Sequence, residues 1–209
     1  AEHIATCCDN SYENLGKPDS YAWYGQNWGQ AGNTPLRQYK GYTAQGGVRV
    51  PAFAHYPGGI AQGKRHDAMV TVKDVMPTLL ELAGIEHPGS RYQDRDVAPM
   101  TGASMLPLLE GRSTVVHGDE YYMGWELFGK RALRKGDWKI IYQPHHELRA
   151  ALVGGVRADT WQLYNLADDP AEMNDLSASH PEKLAELLSN WDSYEKDNGV
   201  IYPEHTSGY

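Results

Sequence analysis

The residues best suited to chemistry in this chain lie in Y-K-G-Y-T-A-Q-G-G-V-R-V-P, Tyr39 to Pro51. A single lysine, Lys40, stands ahead of the Gly46-Gly47 pair and of an apolar run that holds Arg49. Its ammonium is a compact cation fit to neutralise an oxyanion, while a lysine before a turn is ordinarily a solvated surface residue. Asp9-Asn10 offers the oxygens a calcium ion takes, and alone such a pair is ordinarily an Asx-type turn. The nine histidines are scattered, with only His145 and His146 adjacent, and no H-E-x-x-H or paired-cysteine motif supports zinc. Nucleophile elbows of the G-x-S-x-G kind and phosphate-binding G-x-x-x-x-G-K-[ST] loops are absent.

Composition narrows the classes. The chain has 209 residues, 41% hydrophobic and 22% charged, which suits one ordinary core or a piece of a larger one. No apolar run approaches the roughly 18 residues of a membrane span, so a membrane partner is not expected. A formal charge of −8 argues against a general nucleic-acid surface, because phosphate binding is driven by lysine and arginine. The two cysteines, Cys7 and Cys8, are neighbours and cannot tie distant segments together. Nothing near them lowers a thiol pKa, so they read as buried or incidental; a reducing compartment is compatible with this, and an oxidising one stays open.

The elements that must position Lys40 follow from periodicity. Residues 1–47 read as a long irregular connection centred on Y-A-W-Y-G-Q-N-W-G, Tyr21 to Gly29. Val48 to Tyr56 and A-M-V-T-V read as strands. A helix is expected over D-V-M-P-T-L-L-E-L-A-G, with Asp74 as N-cap, Gly84 as its stop, and Val75, Leu79, Leu82 and Ala83 packed on the preceding strands. A short helix follows around Ser104 to Leu109. Y-Y-M-G-W-E-L, K-R-A-L-R, D-W-K-I-I-Y and W-Q-L-Y-N-L read as antiparallel strands, with a turn at Lys135-Gly136 and a surface insertion from Pro144 to Asp159. Ser179 and Glu182 form an S-x-x-E capping box for a last helix whose stripe is Leu184, Leu187, Leu188, Trp191 and Tyr194, ended by Gly199.

The division expected is residues 1–115, an incomplete α/β portion, and residues 116–209, a small antiparallel sheet with a covering helix. One or two strands and a long loop do not make an α/β sheet with both faces covered.

Four blocks together carry a family resemblance: K-G-Y-T-A-Q-G-G-V-R-V-P-A, V-K-D-V-M-P-T-L-L-E-L-A-G-I, R-A-L-R-K-G-D-W-K-I-I-Y and L-Y-N-L-A-D-D-P-A-E-M-N-D-L. In this order, across roughly residues 36 to 195, they resemble the C-terminal part of formylglycine-dependent sulfatases. S-Y-E-N-L-G and G-W-E-L-F-G bring the chain closest to bacterial arylsulfatases. The resemblance implies the C-terminal portion of an alkaline-phosphatase-like α/β/α fold, followed by a small antiparallel sheet packed with a C-terminal helix. It also implies hydrolysis of sulfate esters by a formylglycine made within C/S-x-P-x-R, beside a calcium ion. Cys7 and Cys8 are followed by Asp9 and Asn10, so that motif is absent. Formylglycine, calcium ligands and proton-transfer histidines are expected in an N-terminal part of the same enzyme, which becomes the expected partner.

By the same resemblance Lys40 is the sulfate-binding lysine, Gly46 and Gly47 let the backbone turn closely behind it, and Arg49 is structural, pairing with a carboxylate or carbonyls. Asp9 and Asn10 sit in D-N-S-Y-E-N rather than before a glycine and are not assigned to metal. The chain alone is expected to be inactive. Phosphonate monoester hydrolases and phosphodiesterases of the same superfamily are alternative activities, and a non-enzymatic binding module, suggested by 14 tyrosines and 6 tryptophans, is a third.

Overall fold

A computed structural model describes residues 7–21, 25–60, 63–143 and 160–202. The order of elements is helix α1 (Gly25–Gly32), the single turn α2 (Gln45–Val48), α3 (Val75–Ala83), a hairpin of β1 (Arg91–Tyr92) and β2 (Arg95–Asp96), and the short α4 (Leu106–Leu109). Strands β3 (Tyr122–Leu127), β4 (Lys130–Lys135), β5 (Trp138–Tyr142) and β6 (Gln162–Asn165) follow, and α5 (Pro181–Asn198) closes the series. The expected insertion from Pro144 to Asp159 lies outside the described residues. No described helix is long and apolar enough to cross a membrane.

The chain forms two compact units, one of Ala1–Val50, Gly124–Leu133 and Trp138–Tyr209, the other of Pro51–Met123 and Arg134–Asp137. In the first, the strands expected from alternation are present in the sheet order β3-β4-β5-β6. β3 turns into β4 through Phe128 (φ 56°) and Gly129 (φ 80°), a pair of left-handed residues that matches the twist of a two-residue hairpin. β5 pairs antiparallel with β6, setting Lys139 opposite Tyr164 and Ile140 opposite Leu163. Ala44, Ala132, Ile141, Tyr164 and Leu166 make the core, with Trp125 packed against it.

Helix α5 packs on β5 through Leu187 and Trp191, both buried, so the predicted stripe is the one used. Gly124 in β3 gives it room, since a Cβ there would lie 2.5 Å from the Tyr194 ring. The expected capping box does not form. Pro181 takes the first helical position and His180 the N-cap, which leaves Ser179 one residue too early. Its hydroxyl donates to the Leu176 carbonyl at 3.1 Å instead. Gly199 ends the helix at φ 60°, as expected.

The second unit is organised by Asp74. This residue is the N-cap of α3 by position, but its carboxylate turns away from that helix. Oδ2 accepts from the Thr71 amide at 2.6 Å and the Thr71 hydroxyl at 3.2 Å, and Oδ1 accepts from the Ala103 amide at 2.9 Å. Thr78 extends the link, donating to the Asp74 carbonyl at 2.6 Å and accepting from the Met105 amide at 2.8 Å. Gly102 permits this approach, for its Cβ would stand 2.1 Å from the Lys73 carbonyl oxygen.

Three expectations need correction. Residues 1–47 are not wholly irregular: α1 forms although G-Q-N-W-G-Q-A-G is poor in helix formers. Its glycine Gly29 lies under the Tyr39 ring, and Asn33 and Gln30 side chains donate to the Gly29 and Leu36 carbonyls. Val48 to Tyr56 and A-M-V-T-V form no strands, because β structure needs a neighbouring edge and none of the described strands supplies one. Lacking those strands, the apolar face of α3 is open, with Val75, Met76, Leu79 and Leu82 exposed and only Thr78 buried.

Candidate functional site

Lys40 stands at the exposed tip of a loop whose flanks are buried. Before it, Gln38 is buried and exchanges two side-chain hydrogen bonds with Gln143, at 3.0 and 2.7 Å. After it, Gly41 takes φ 96°, a conformation glycine adopts without penalty, and Tyr42, Thr43, Ala44 and Gln45 are all buried. The Gly46 amide donates to the Arg37 carbonyl at 2.8 Å and closes the loop at its base. The Thr43 hydroxyl donates to the Arg131 carbonyl of β4 at 3.3 Å.

The glycine pair does what its place suggests. A Cβ on Gly46 would lie 2.0 Å from the Gln38 carbonyl oxygen, and one on Gly47 2.0 Å from that of Tyr42. Only glycine lets the chain fold so closely beneath Lys40. Arg49 is another matter: its side chain is exposed and makes no hydrogen bond or ion pair among the described residues, so the structural pairing expected for it is absent.

Beneath the loop lies Glu172, fully buried. Its Oε1 accepts from Lys139 Nζ at 2.7 Å and its Oε2 from the Gln45 amide at 2.8 Å, with Arg37 Nε 3.8 Å away. Arg37 also donates to the Tyr164 hydroxyl at 3.3 Å, and Lys130 Nζ sits 5.0 Å from the centre of the Tyr42 ring. Arg37 and Lys139 thus flank the Glu172 carboxylate beneath the loop whose tip carries Lys40. The exposed Lys40 ammonium is the group at that tip suited to an anionic ligand.

Side-chain oxygens of Asp9 and Asn10, the pair that would suit a calcium ion, are engaged in local hydrogen bonds. Asp9 and Asn10 form the turn suggested for them: Asp9 Oδ1 accepts from the Ser11 amide at 3.0 Å and Asn10 Oδ1 from the Tyr21 amide at 2.6 Å. Among the described residues, no three His, Cys, Asp or Glu side chains gather as a metal would need. The Cys7 and Cys8 sulfurs are bonded to each other, and neither residue is buried, so they are not the buried cysteines that formed one of the two readings. They join no distant segments.

Sequence reasoning passed over one buried pair. His117 Nε2 donates to Asp74 Oδ2 at 2.9 Å, and its ring stacks on Tyr121 at 3.7 Å. Burial raises the Asp74 carboxyl pKa, but hydrogen bonds from His117, Ala103 and Thr71 outweigh it and hold the group below its ordinary value. All of its partners are spent within the fold, so it is a staple rather than a reactive group. No local pattern joins residues 43 positions apart.

Relatives give this arrangement its context. The family model of the N-sulphoglucosamine sulphohydrolase C-terminal domain matches residues 39–191, which includes Lys40, Lys139 and Glu172. An uncharacterized sulfatase of Schizosaccharomyces pombe is 42% identical over 194 residues, covering 92% of this chain and 33% of the relative. The arylsulfatase of Klebsiella aerogenes is 39% identical over 98 residues, 46% of this chain and 21% of the relative. The solved structure of Ps i-CgsB in complex with k-i-k-neocarrahexaose is similar with a TM-score of 0.61 and 27% identity, covering 84% of this chain and 35% of that one. The chain therefore spans about a third or less of the length of these relatives. Its fold is the C-terminal portion of an alkaline-phosphatase-like α/β/α architecture, followed by the small antiparallel sheet and covering helix. By the match of its own residues 39–191, the chain belongs to the sulfatase family, among the C-terminal domains typified by N-sulphoglucosamine sulphohydrolase.

Proposed function

We propose that this chain is the C-terminal portion of an arylsulfatase-type sulfuric ester hydrolase and that Lys40 binds the sulfate group. One observation carries the reading: within the matched segment, Lys40 is a solvent-facing cation on a loop whose neighbours on both sides are buried and hydrogen-bonded. An ammonium held in that way neutralises ester oxygens and stabilises the charge that develops on the leaving oxygen. The fixed backbone matters because a lysine stem has much rotamer freedom of its own.

The partner in this reading is the N-terminal portion of the same enzyme, which supplies the formylglycine nucleophile and the calcium site. The open apolar face of α3 and the side chain of Phe53, 96% exposed, are surfaces that such a portion would cover.

The test is Lys40→Ala in the complete enzyme. Turnover of an aryl sulfate is expected to fall by at least about tenfold, as for the loss of one charge-stabilising donor. Unchanged kinetics would remove Lys40 from the site. A panel that adds phosphonate monoesters and phosphodiesters decides the substrate class, and preference for a phosphorus ester overturns the sulfatase activity.

A further inference from the structure

We infer that Glu172 is a positioning residue for Lys40. The inference rests on the reading of Lys40 as the sulfate-binding lysine and extends it to a residue far away in the sequence. Glu172 lies in D-D-P-A-E-M-N-D-L and meets the loop that carries Lys40 at both of its ends. Oε2 accepts the Gln45 amide, five residues after Lys40, at 2.8 Å, and faces Arg37 Nε, three residues before it, at 3.8 Å. Oε1 is taken by Lys139 Nζ at 2.7 Å, which anchors the carboxylate to β5.

The backbone of Glu172 is equally constrained. It adopts φ 56°, an unfavourable value for a residue with a Cβ, and its amide donates to the Asp169 carbonyl at 3.1 Å. Asp169 holds this turn in place, for its Oδ2 accepts from the Met173 and Asn174 amides, each at 2.7 Å, and its own amide donates to Asn165 at the end of β6 at 2.8 Å. A strained turn thus fixes a fully buried carboxylate, which fixes the loop, which presents Lys40.

A glutamine at 172 keeps the shape but loses the charge. It offers one acceptor oxygen where two donors, Lys139 and the Gln45 amide, now converge. One donor is then left without its partner, and the loop is freed at the end nearest Gly46.

A purely structural staple and a positioning residue differ in one measurement, a double-mutant cycle in the complete enzyme with Lys40→Ala and Glu172→Gln. Expected is a loss of at least about tenfold in aryl sulfate kcat/KM for each single variant, and less than about twofold further loss when Glu172→Gln is added to Lys40→Ala. Multiplication of the two losses would overturn the inference while leaving the role of Lys40 intact. An unchanged rate for Lys40→Ala alone would instead overturn the reading of Lys40, and the inference with it. Should Glu172→Gln fail to fold, Glu172→Asp gives the same cycle. It retains the charge facing Lys139, and its reach, shorter by one methylene, cannot serve both donors.

Discussion

Lys139 Nζ and Glu172 Oε1 are 2.7 Å apart, and neither side chain is exposed at all. Two charges buried together are costly to part, because the survivor keeps its desolvation penalty without its partner. Lys139→Met is therefore expected to destabilise the protein by about 3–5 kcal/mol, read as a lower midpoint in urea. Lys139→Met with Glu172→Met should be less damaging than Lys139→Met alone, since no buried Glu172 carboxylate is left without Lys139, although Arg37 loses the carboxylate it faces. It will not restore full stability, because the Gln45 amide loses its acceptor at a cost of about 1–3 kcal/mol.

The glycine pair gives a sharper steric forecast. A methyl group on Gly46 meets the Gln38 and Arg37 carbonyl oxygens at 2.0 and 2.5 Å, both of them backbone atoms that cannot swing aside. Gly46→Ala should thus open the loop, costing stability and activity together. Gly32→Ala, where a Cβ meets nothing within 4 Å, should leave both near their original values. Thermal melts of the two variants side by side would check this, and equal melting temperatures would contradict the packing described for the loop.

How much of this was legible beforehand depends on where the determining contacts lie. Strands β3 to β6 and the α5 stripe could be read because alternation and the 3.6-residue period are local patterns whose buried partners are present. Val48–Tyr56 shows the converse: its apolar run has strand character, but pairing depends on an edge that no described strand supplies. Lys40 and the glycine pair stood out through the family resemblance. Glu172 did not, because its role is a contact across 127 residues with a backbone amide, which no side-chain pattern records. Asp74 was read as a helix cap, a local role, whereas its carboxylate joins Thr71, Ala103 and His117.

Asp74 also predicts a pH dependence. Its carboxyl is held below the ordinary value of 3.8, so the stabilisation it gives is fully present above that value and is lost as pH falls through the lower, folded-state value. Asp74→Asn removes this titration. The variant should be less stable than the parent near neutrality, because one amide oxygen must replace two carboxylate oxygens, and the difference should narrow steadily as pH is lowered below about 4. Unfolding curves collected from pH 7 to pH 3 measure the gap, and a gap independent of pH would show that the charge of Asp74 is not what holds the Thr71, Ala103 and His117 contacts.

The apolar face of α3 tests the proposed partner directly. Leu79 is 55% exposed in this chain, with Val75, Met76 and Ile85 also open. If these side chains remain in water in the complete enzyme, Leu79→Ser falls among surface substitutions and changes stability by no more than about 0.5 kcal/mol. If the N-terminal portion covers them, as proposed, the same substitution forfeits a buried leucine and costs about 1.5–3 kcal/mol. Denaturation of the complete enzyme and its Leu79→Ser variant distinguishes the two values. The larger loss is expected, because a continuous row of exposed apolar side chains on one helix face is unfavourable in water unless another surface meets it.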